Sequence, residues 1–400
     1  MADIVEISAV LGLKLLPEAA IVLPGSSDFA GVATESDVRY ASEHNIPFIA
    51  RSGGYSATEA MGKAKNSIQI DFRSLDHIKL SEDGKSAAIG GGANVKDTVN
   101  LTTEQGLWEA DLPTVTGICE SYGLLADQVI SARLVLLNGE LVTWSYEIFI
   151  FSGDKLEAFY SLANEQLKDQ PPELVYWGYI IKVAEIDLDY PILWFGVIYN
   201  GSPEAIKGYA EPFHNIGPLN VQTGEGLIPD LAVLTFQDRD GPGCAYGITF
   251  LCYPIGLKSY NIVAVRKVYD EIDETFCWVP EVAGSFFLLE SYLTQAVEAI
   301  NPVTTAFLHR DDKILVISYI IYTPNDAITP VAQEFGKKLR QYLLDGSDKP
   351  DRLRAYVNYA DGNEPLPAVY GWDSWRLEKL KELKAKWDPK NTMRYHVPIE

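Results

Sequence analysis

Aromatic side chains on predicted strands are the feature of this sequence that most clearly suggests ligand binding. Trp177 and Tyr179 alternate on one strand face, and Tyr176 lies on the other. Neighbouring predicted strands carry further rings, which are Trp194, Tyr199, Tyr246, Phe250, Tyr319 and Tyr322. A single ring is more often part of a core than of a site. Together the rings predict a pocket for a hydrophobic or aromatic small molecule, although alternation does not tell which face meets it.

Common catalytic and metal-binding motifs are missing from the sequence. There is no P-loop, no HExxH and no Ser-His-Asp order, and Ser52 lies in a context unlike a nucleophile elbow. The cysteines lie far apart without a CxxC or a Cys/His cluster, so no metal site is expected; they are Cys119, Cys244, Cys252 and Cys277. Cys244 and Cys252 fit either buried free thiols or a disulfide. Four histidines have no partner pattern and are expected at the surface: His44, His77, His214 and His396.

Composition excludes several partners. The 400 residues include 33 basic and 55 acidic ones, a net charge of −22 without a basic run, which argues against nucleic acid and membrane adhesion. The longest apolar stretches are about half the roughly 20 residues of a spanning helix, so no membrane span is expected. No signal peptide is visible, yet Asn100 and Asn200 begin glycosylation sequons. Cell compartment and oligomeric state stay open.

The elements that must position these residues indicate an α+β fold in two lobes. Residues 1–145 alternate short strands and helices, including strands at Pro47–Ala50, Ser67–Phe72 and Ser86–Ile89 and a hairpin from Arg133 to Trp144. Longer strands follow, predicted at Leu174–Val183, Ile192–Tyr199, Tyr246–Tyr253, Thr304–Leu308 and Ile314–Tyr322. The predicted helices are Tyr260–Phe276, Phe287–Ile300, Ile328–Leu344 and Asp373–Lys386.

Several segments resemble the berberine-bridge-enzyme-like branch of the FAD-linked oxidases. The matching segments are Pro47–Ser56, Ile68–Ile78, Ala87–Asp97, Leu112–Gly117, Ser121–Leu141, Ala306–Asp311 and the Tyr-x-Asn-Tyr motif ending at Tyr359. The resemblance covers most of the chain. It implies a PCMH-type FAD-binding domain at 1–145, a substrate domain at 146–345 with an antiparallel sheet covered by helices, and a C-terminal segment, 346–400, that returns to the first domain.

In that family the first matching segment lays backbone amides against the flavin pyrophosphate, here Arg51, Ser52, Gly53, Gly54, Tyr55 and Ser56. Tyr55 stands where the family has a histidine bound covalently to the flavin, and Leu112 stands where it has a cysteine. A glycine-rich stretch is also absent between Gly117 and Ser121, where Glu120 adds negative charge. Diphosphate charges without such partners are costly to desolvate. The expectation is therefore that the cradle is vestigial and that the chain uses no cofactor.

On these grounds the first hypothesis is a cofactor-independent cyclase of secondary metabolism. The resemblance implies a hetero-Diels–Alder type of reaction, as in fungal members that join a tropolone quinone methide to a sesquiterpenoid. Such chemistry needs orientation and hydrogen-bond donors, not redox. The alternative is an FAD-linked oxidoreductase with non-covalent FAD that oxidises an alcohol or forms C–N or C–C bonds. The second alternative is an inactive binding protein.

Candidate catalytic residues follow from the same resemblance. His309, expected on a strand, is a general acid or a histidine capping the sheet edge. Arg51 orients an acidic hydroxyl or forms an ion pair, and Tyr55 donates a hydrogen bond or fills space. Asn358 and Tyr359 face substrate or fill the vacated cavity. Substrate contacts are expected from Trp177, Tyr179, Trp194, Tyr246 and Tyr319.

Overall fold

Two small sheets lie in the N-terminal part of the chain. The computed structural model describes residues 44, 46–51, 67–71, 76–80, 86–90, 92–93, 134–135, 144–236, 247–291, 294–392, 394 and 397–399. Strand β1 (Phe48–Arg51) pairs in parallel with β2 (Ile68–Asp71). Antiparallel pairing joins β3 (Ile78–Leu80), β4 (Ser86–Ile89) and β5 (Leu134–Val135). The N–H of Phe48 donates to the carbonyl of Thr392, 3.4 Å away, so the C-terminal segment contacts β1.

A seven-stranded antiparallel sheet dominates the rest of the described chain. Its strands are β6 (Trp144–Phe151), β7 (Leu174–Ile181), β8 (Ile192–Asn200), β9 (Asn220–Gly226), β10 (Thr249–Leu257), β11 (Phe286–Ser291) and β12 (Ile314–Tyr322). The order is β10-β12-β11-β7-β8-β6-β9. Strands β7 and β11 are therefore central, and their burial on both faces explains the continuous apolar runs at 174–181 and 286–289.

Helices cover one face of this sheet. The helices of the described chain are α1 (Leu156–Gln166), α2 (Pro203–His214), α3 (Ile228–Leu234), α4 (Ile262–Trp278), α5 (Gln295–Ala299), α6 (Thr329–Asp345), α7 (Leu366–Tyr370) and α8 (Ser374–Trp387). Apolar positions of α1, α2, α4 and α6 pack with alternate strand residues into one large core. None of the described helices is long and apolar enough to cross a bilayer.

A second, smaller cluster covers the opposite face. It contains Trp177, Tyr179, Leu288 and Ile317 from the central strands and Leu231 from α3, with Tyr359 packed against it. We call this the aromatic face. Helices α1, α2, α4 and α6 cover the other face of the sheet, so we look for the candidate site on the aromatic face.

The α+β architecture, a helix-covered antiparallel sheet, is as the sequence predicts. Strands β4 and β12 have the predicted bounds, and β1, β2, β7, β8 and β10 begin or end within a few residues of them. The predicted hairpin is described only at β5 and Trp144, which belong to different sheets.

Two predicted elements are wrong. Phe287–Ile300 is not one helix: its first residues belong to β11, and among its described residues the helical ones are Gln295–Ala299. Leucine and glutamate favour helices, but pairing with β7 on one side and β12 on the other overrides that propensity. Thr304–Leu308 is an irregular loop, not a strand. The buried Arg310 holds it by donating to the Thr305 hydroxyl, 2.7 Å away.

Candidate active site

A buried carboxyl lies in the middle of the aromatic face. Glu290 is the fifth residue of β11, directly opposite Trp177 on β7 and Leu315 on β12, and it is 0% exposed. The hydroxyl of Tyr359 donates to Glu290 Oε1 at 3.4 Å. Burial raises the pKa of Glu290 well above its ordinary value, and the hydrogen bond from Tyr359 opposes that rise. A carboxyl of this kind is a strong proton acceptor once ionised.

Two phenols complete the cluster. The rings of Tyr319 and Tyr359 meet nearly edge to face, with centroids 6.0 Å apart, and a hydrogen bond joins their side chains. Burial raises the pKa of both hydroxyls, and the Glu290 carboxyl adds to the rise in each. Both phenols therefore stay protonated at neutral pH, so the hydroxyl of Tyr359 keeps a proton to donate to Glu290.

Tyr359 is positioned by a short, tightly held turn. It ends the single 3₁₀ turn Val357–Tyr359, beside Tyr356, whose ring lies 5.7 Å from its own. The exposed Asn358 donates through Nδ2 to the Tyr356 hydroxyl at 3.0 Å. Asn358 and Tyr359 therefore have different contacts. The Tyr359 hydroxyl contacts Glu290, whereas the Asn358 amide donates a hydrogen bond to the hydroxyl of Tyr356.

An ion pair fixes the loop that follows this turn. The fully buried carboxylate of Glu364 pairs with Arg340 of α6, 2.6 Å away, and accepts the N–H groups of Asp361 and Gly362. Gly362 has φ +92°, which glycine adopts without a side-chain clash. Burial, followed by the charge of Glu364, raises the pKa of Asp361 to about 6. The loop is thus tied to α6 immediately after Tyr359.

The predicted aromatic contacts lie on the same face as Glu290. Trp177, Tyr179, Trp194 and Tyr319 all belong to this face, whereas Tyr246 lies outside the described residues. Trp177 is 0% exposed, so its side chain is completely covered by its neighbours. Tyr179 donates its hydroxyl to the carbonyl of Thr235, 2.5 Å away. Trp194 is half-buried, with its ring 5.4 Å from that of Tyr179.

His309 lies in a turn and not on the predicted strand. Its Nδ1 contacts Asp312 Oδ2 at 3.0 Å, and Asp312 also pairs with Arg354 at 2.6 Å. The imidazole meets the ring of Tyr356 at right angles, 6.2 Å between centroids. Its Nε2 is buried and has no hydrogen-bond partner among the residues that the structure describes. His309 therefore contacts Tyr356, whose ring in turn contacts that of Tyr359 in the Glu290 cluster.

The remaining predicted residues are described in part or not at all. Arg51 ends β1 opposite Asp71, and its side chain is not described. Asn200 ends β8 and is partly exposed. Cys252 is a buried free thiol, whereas Cys244 is not described. The residues outside the described part of the chain are Ser52, Gly53, Gly54, Tyr55, Ser56, Asn100 and Leu112.

Glu290 is absent from the residues that the sequence singles out. The run Phe-Phe-Leu-Leu-Glu-Ser was assigned to a helix, where an acidic residue belongs on the solvent side. The available signal was a lone charge bounding a run of four apolar residues. Only its pairing between two strands shows that this charge is buried.

Family models match both ends of the chain. One described as "FAD binding domain" matches residues 31–145, and one described as "Berberine and berberine like" matches residues 355–400, which include Tyr359. The second match therefore covers the turn that contacts Glu290.

Fungal proteins are similar over nearly the whole chain. FAD-linked oxidoreductase chry5 of Gibberella zeae is 30% identical, covering 93% of this chain and 84% of its own length. FAD-linked oxidoreductase chyH of Penicillium rubens is 29% identical, covering 100% and 94%. That second alignment runs over 478 residues against the 400 of this chain, so the relative carries segments that this chain lacks.

Solved structures share the fold. A carbohydrate oxidase from Microdochium nivale has a TM-score of 0.77 at 16% identity, covering 98% of this chain and 99% of the other. A BBE-like 1 variant from Physcomitrella patens has a TM-score of 0.78 at 14% identity, covering 96% and 97%. At these identities the likeness concerns the fold alone.

The expectation that the chain uses no cofactor is wrong. The match to an FAD binding domain and the FAD-linked relatives both point to FAD. Missing loops alone do not exclude the cofactor, because relatives that are 29–30% identical to this chain are FAD-linked oxidoreductases. The chain belongs to the berberine-bridge-enzyme-like family of FAD-linked oxidoreductases.

Proposed function

We propose that the protein is an FAD-linked oxidoreductase that oxidises an alcohol group of a small organic molecule to a carbonyl, with Glu290 as the proton acceptor. The observation that carries the proposal is the fully buried carboxyl of Glu290, hydrogen-bonded to Tyr359 beside a cluster of apolar side chains. Such a buried acid–phenol pair is costly to fold, so a catalytic role accounts for it better than packing does.

The described residues fit FAD-dependent chemistry. When bound, FAD supplies the acceptor for the hydride that leaves the substrate carbon. The chain must then accept the proton of the substrate hydroxyl. Burial raises the pKa of Glu290, and a higher pKa makes its carboxylate a better base. The hydrogen bond from Tyr359 holds the carboxyl in place, and Tyr319 in turn holds Tyr359.

Residues 31–145, which match the FAD binding domain, are those that would hold the cofactor. Among them the segment Arg51–Ser56 is the proposed pyrophosphate contact, since its glycines let backbone amides approach. Neither Tyr55 nor Leu112 forms the covalent links made by a histidine or a cysteine. The cofactor is therefore proposed to be non-covalent.

The substrate is proposed to be hydrophobic. The face that carries Glu290 also carries the rings of Trp177, Tyr179, Trp194 and Phe286, which pack with aliphatic side chains into one hydrophobic cluster. A sugar is the other candidate substrate class, because the Microdochium enzyme is a carbohydrate oxidase and aromatic rings also stack on sugars. The cofactor-independent cyclase rested on a vestigial flavin site, and the match to an FAD binding domain removes that ground.

The decisive experiment compares Glu290→Gln with the wild-type protein. Both should contain FAD, as seen from the flavin absorption bands, because the substitution preserves volume. The variant should reduce its flavin at least about a hundredfold more slowly under anaerobic conditions, since general-base catalysis contributes about that factor or more. Aromatic primary alcohols serve as the substrate panel.

Glu147→Gln is the matched control. Glu147 is also a buried strand glutamate, but it lies on the helix-covered face and contacts His214 at 2.8 Å. It should leave the rate of flavin reduction unchanged. Equal rates in the wild type and Glu290→Gln would overturn the assignment of Glu290, and a wild-type protein without flavin would overturn the proposed function.

A further inference from the structure

Phe236 has an unusual backbone conformation at the end of α3. Its φ is +59°, in the left-handed region, where a bulky side chain is strained. Asn391 and Val397 are the other non-glycine residues with positive φ in the described part of the chain. Despite the strain, the Phe236 ring is not withdrawn into the core, because 44% of the residue is exposed. Burial therefore does not fully explain why a phenylalanine is kept here.

The preceding residue holds Phe236 in this conformation. Thr235 is 0% exposed, and its carbonyl accepts the Tyr179 hydroxyl. The Thr235 hydroxyl donates to the carbonyl of Leu231, 2.9 Å away. These contacts attach the end of α3 to the central strand β7. They bring the Phe236 ring to 6.0 Å from both the Tyr179 and the Trp194 ring centroids.

A continuous series of rings leads from Phe236 to the proton acceptor. Tyr179 contacts Phe286, with centroids 5.6 Å apart, and Phe286 contacts Tyr319 at 4.8 Å. Tyr319 and Tyr359 then reach Glu290. Along the sheet, Tyr179 lies opposite Leu288, two residues and hence about 7 Å from Glu290.

We propose that Phe236 determines substrate specificity by stacking its half-exposed ring on the substrate, and that the substrate is a planar aromatic or conjugated alcohol. The reaction assigned to that alcohol rests on the proposed function, whereas the stacking itself does not. Strain at a residue that leaves a ring exposed is typical of a binding site held in advance by its surroundings.

Binding of a planar probe to the purified full-length protein, with whatever flavin it carries, tests the proposal. The probe is naphthalene carboxamide, which has no hydroxyl to oxidise, and its saturated decahydro analogue is the non-planar comparison. Isothermal titration calorimetry should show about tenfold weaker binding of the planar probe to Phe236→Gly and Phe236→Ala, as loss of one stacked ring predicts. The saturated probe should weaken by less than about twofold.

Trp278→Ala serves as the control, since Trp278 is a 79% exposed aromatic residue at the end of α4. It should bind both probes as the wild type does. Phe236→Gly should also unfold at a higher temperature than Phe236→Ala, because glycine tolerates positive φ and alanine does not. Unchanged binding of the planar probe, or an equal loss for both probes, would refute the specificity role.

Failure of the proposed function would look different. A wild-type protein that contains no FAD, or whose flavin no alcohol reduces, would contradict the reaction. Calorimetry needs no turnover, so the comparison of the two probes would still decide the role of Phe236.

Discussion

Replacing Arg340 by methionine should destabilise the loop that follows Tyr359. The substitution leaves the carboxylate of Glu364 buried without its counter-charge. Breaking a buried ion pair from one side costs about 3–5 kcal/mol. The N–H groups of Asp361 and Gly362 still donate to Glu364, so we expect the lower end, about 3 kcal/mol. The Arg340 guanidinium also lies over the Tyr253 ring, 5.2 Å from its centroid, and methionine replaces part of that packing.

Urea denaturation followed by circular dichroism measures this loss as a lower transition midpoint. Lys338→Met is the matched control on the same helix, because Lys338 pairs with Glu271 but is 48% exposed. It should cost less than about 1 kcal/mol, as exposed ion pairs do. The double variant Arg340→Met, Glu364→Gln should recover much of the loss, since no buried charge remains unpaired. Equal midpoints for Arg340→Met and Lys338→Met, or no recovery in the double variant, would refute the reasoning.

Three further predictions concern the pH dependence of stability, the attachment of the flavin and the hydroxyl of Tyr359. The pKa of Asp361 is raised to about 6 in the fold, so this group contributes stability at about pH 4 that is lost as the pH rises to about 6, because the folded state holds the proton longer than the unfolded chain. Asp361→Asn should remove this contribution, so the variant's stability should rise more steeply with pH than that of the wild type in denaturation curves. Equal slopes would contradict the prediction. Acid precipitation should release all the FAD into the supernatant, since Tyr55 and Leu112 stand in place of the histidine and the cysteine that would link the flavin covalently. Flavin remaining in the pellet would disprove this. Tyr359→Phe should retain FAD but slow flavin reduction by about tenfold, because it loses one hydrogen bond to a charged group. An unchanged rate would exclude a role for the Tyr359 hydroxyl.

Elements with a simple pattern were predictable from the sequence. Strand β12 and helix α6 are long and periodic, so their apolar residues define them without knowledge of their neighbours. Strand β11 was not predictable in this way, because a short apolar run fits a buried strand and a buried helix equally well. That error hid Glu290, whose importance depends on the strand.

The candidate site was predicted in part. The aromatic residues Tyr179, Trp194 and Tyr319 do share one face with Tyr359, as strand alternation allows but does not require. Phe236 could not be found, because its significance lies in a backbone angle and in the anchoring of Thr235. The inference about the cofactor failed because missing segments show which loops have changed, not whether the ligand still binds.

The sequence by itself determined the family resemblance, the α+β class and the presence of an aromatic-rich sheet, because these follow from motif order and from local periodicity. The tertiary structure decided which charge is buried. Burial depends on which strands flank β11, and the pKa of Glu290 follows from that burial. Residues 290 and 359 are far apart in the chain, and only the folded sheet brings the carboxyl and the phenol together.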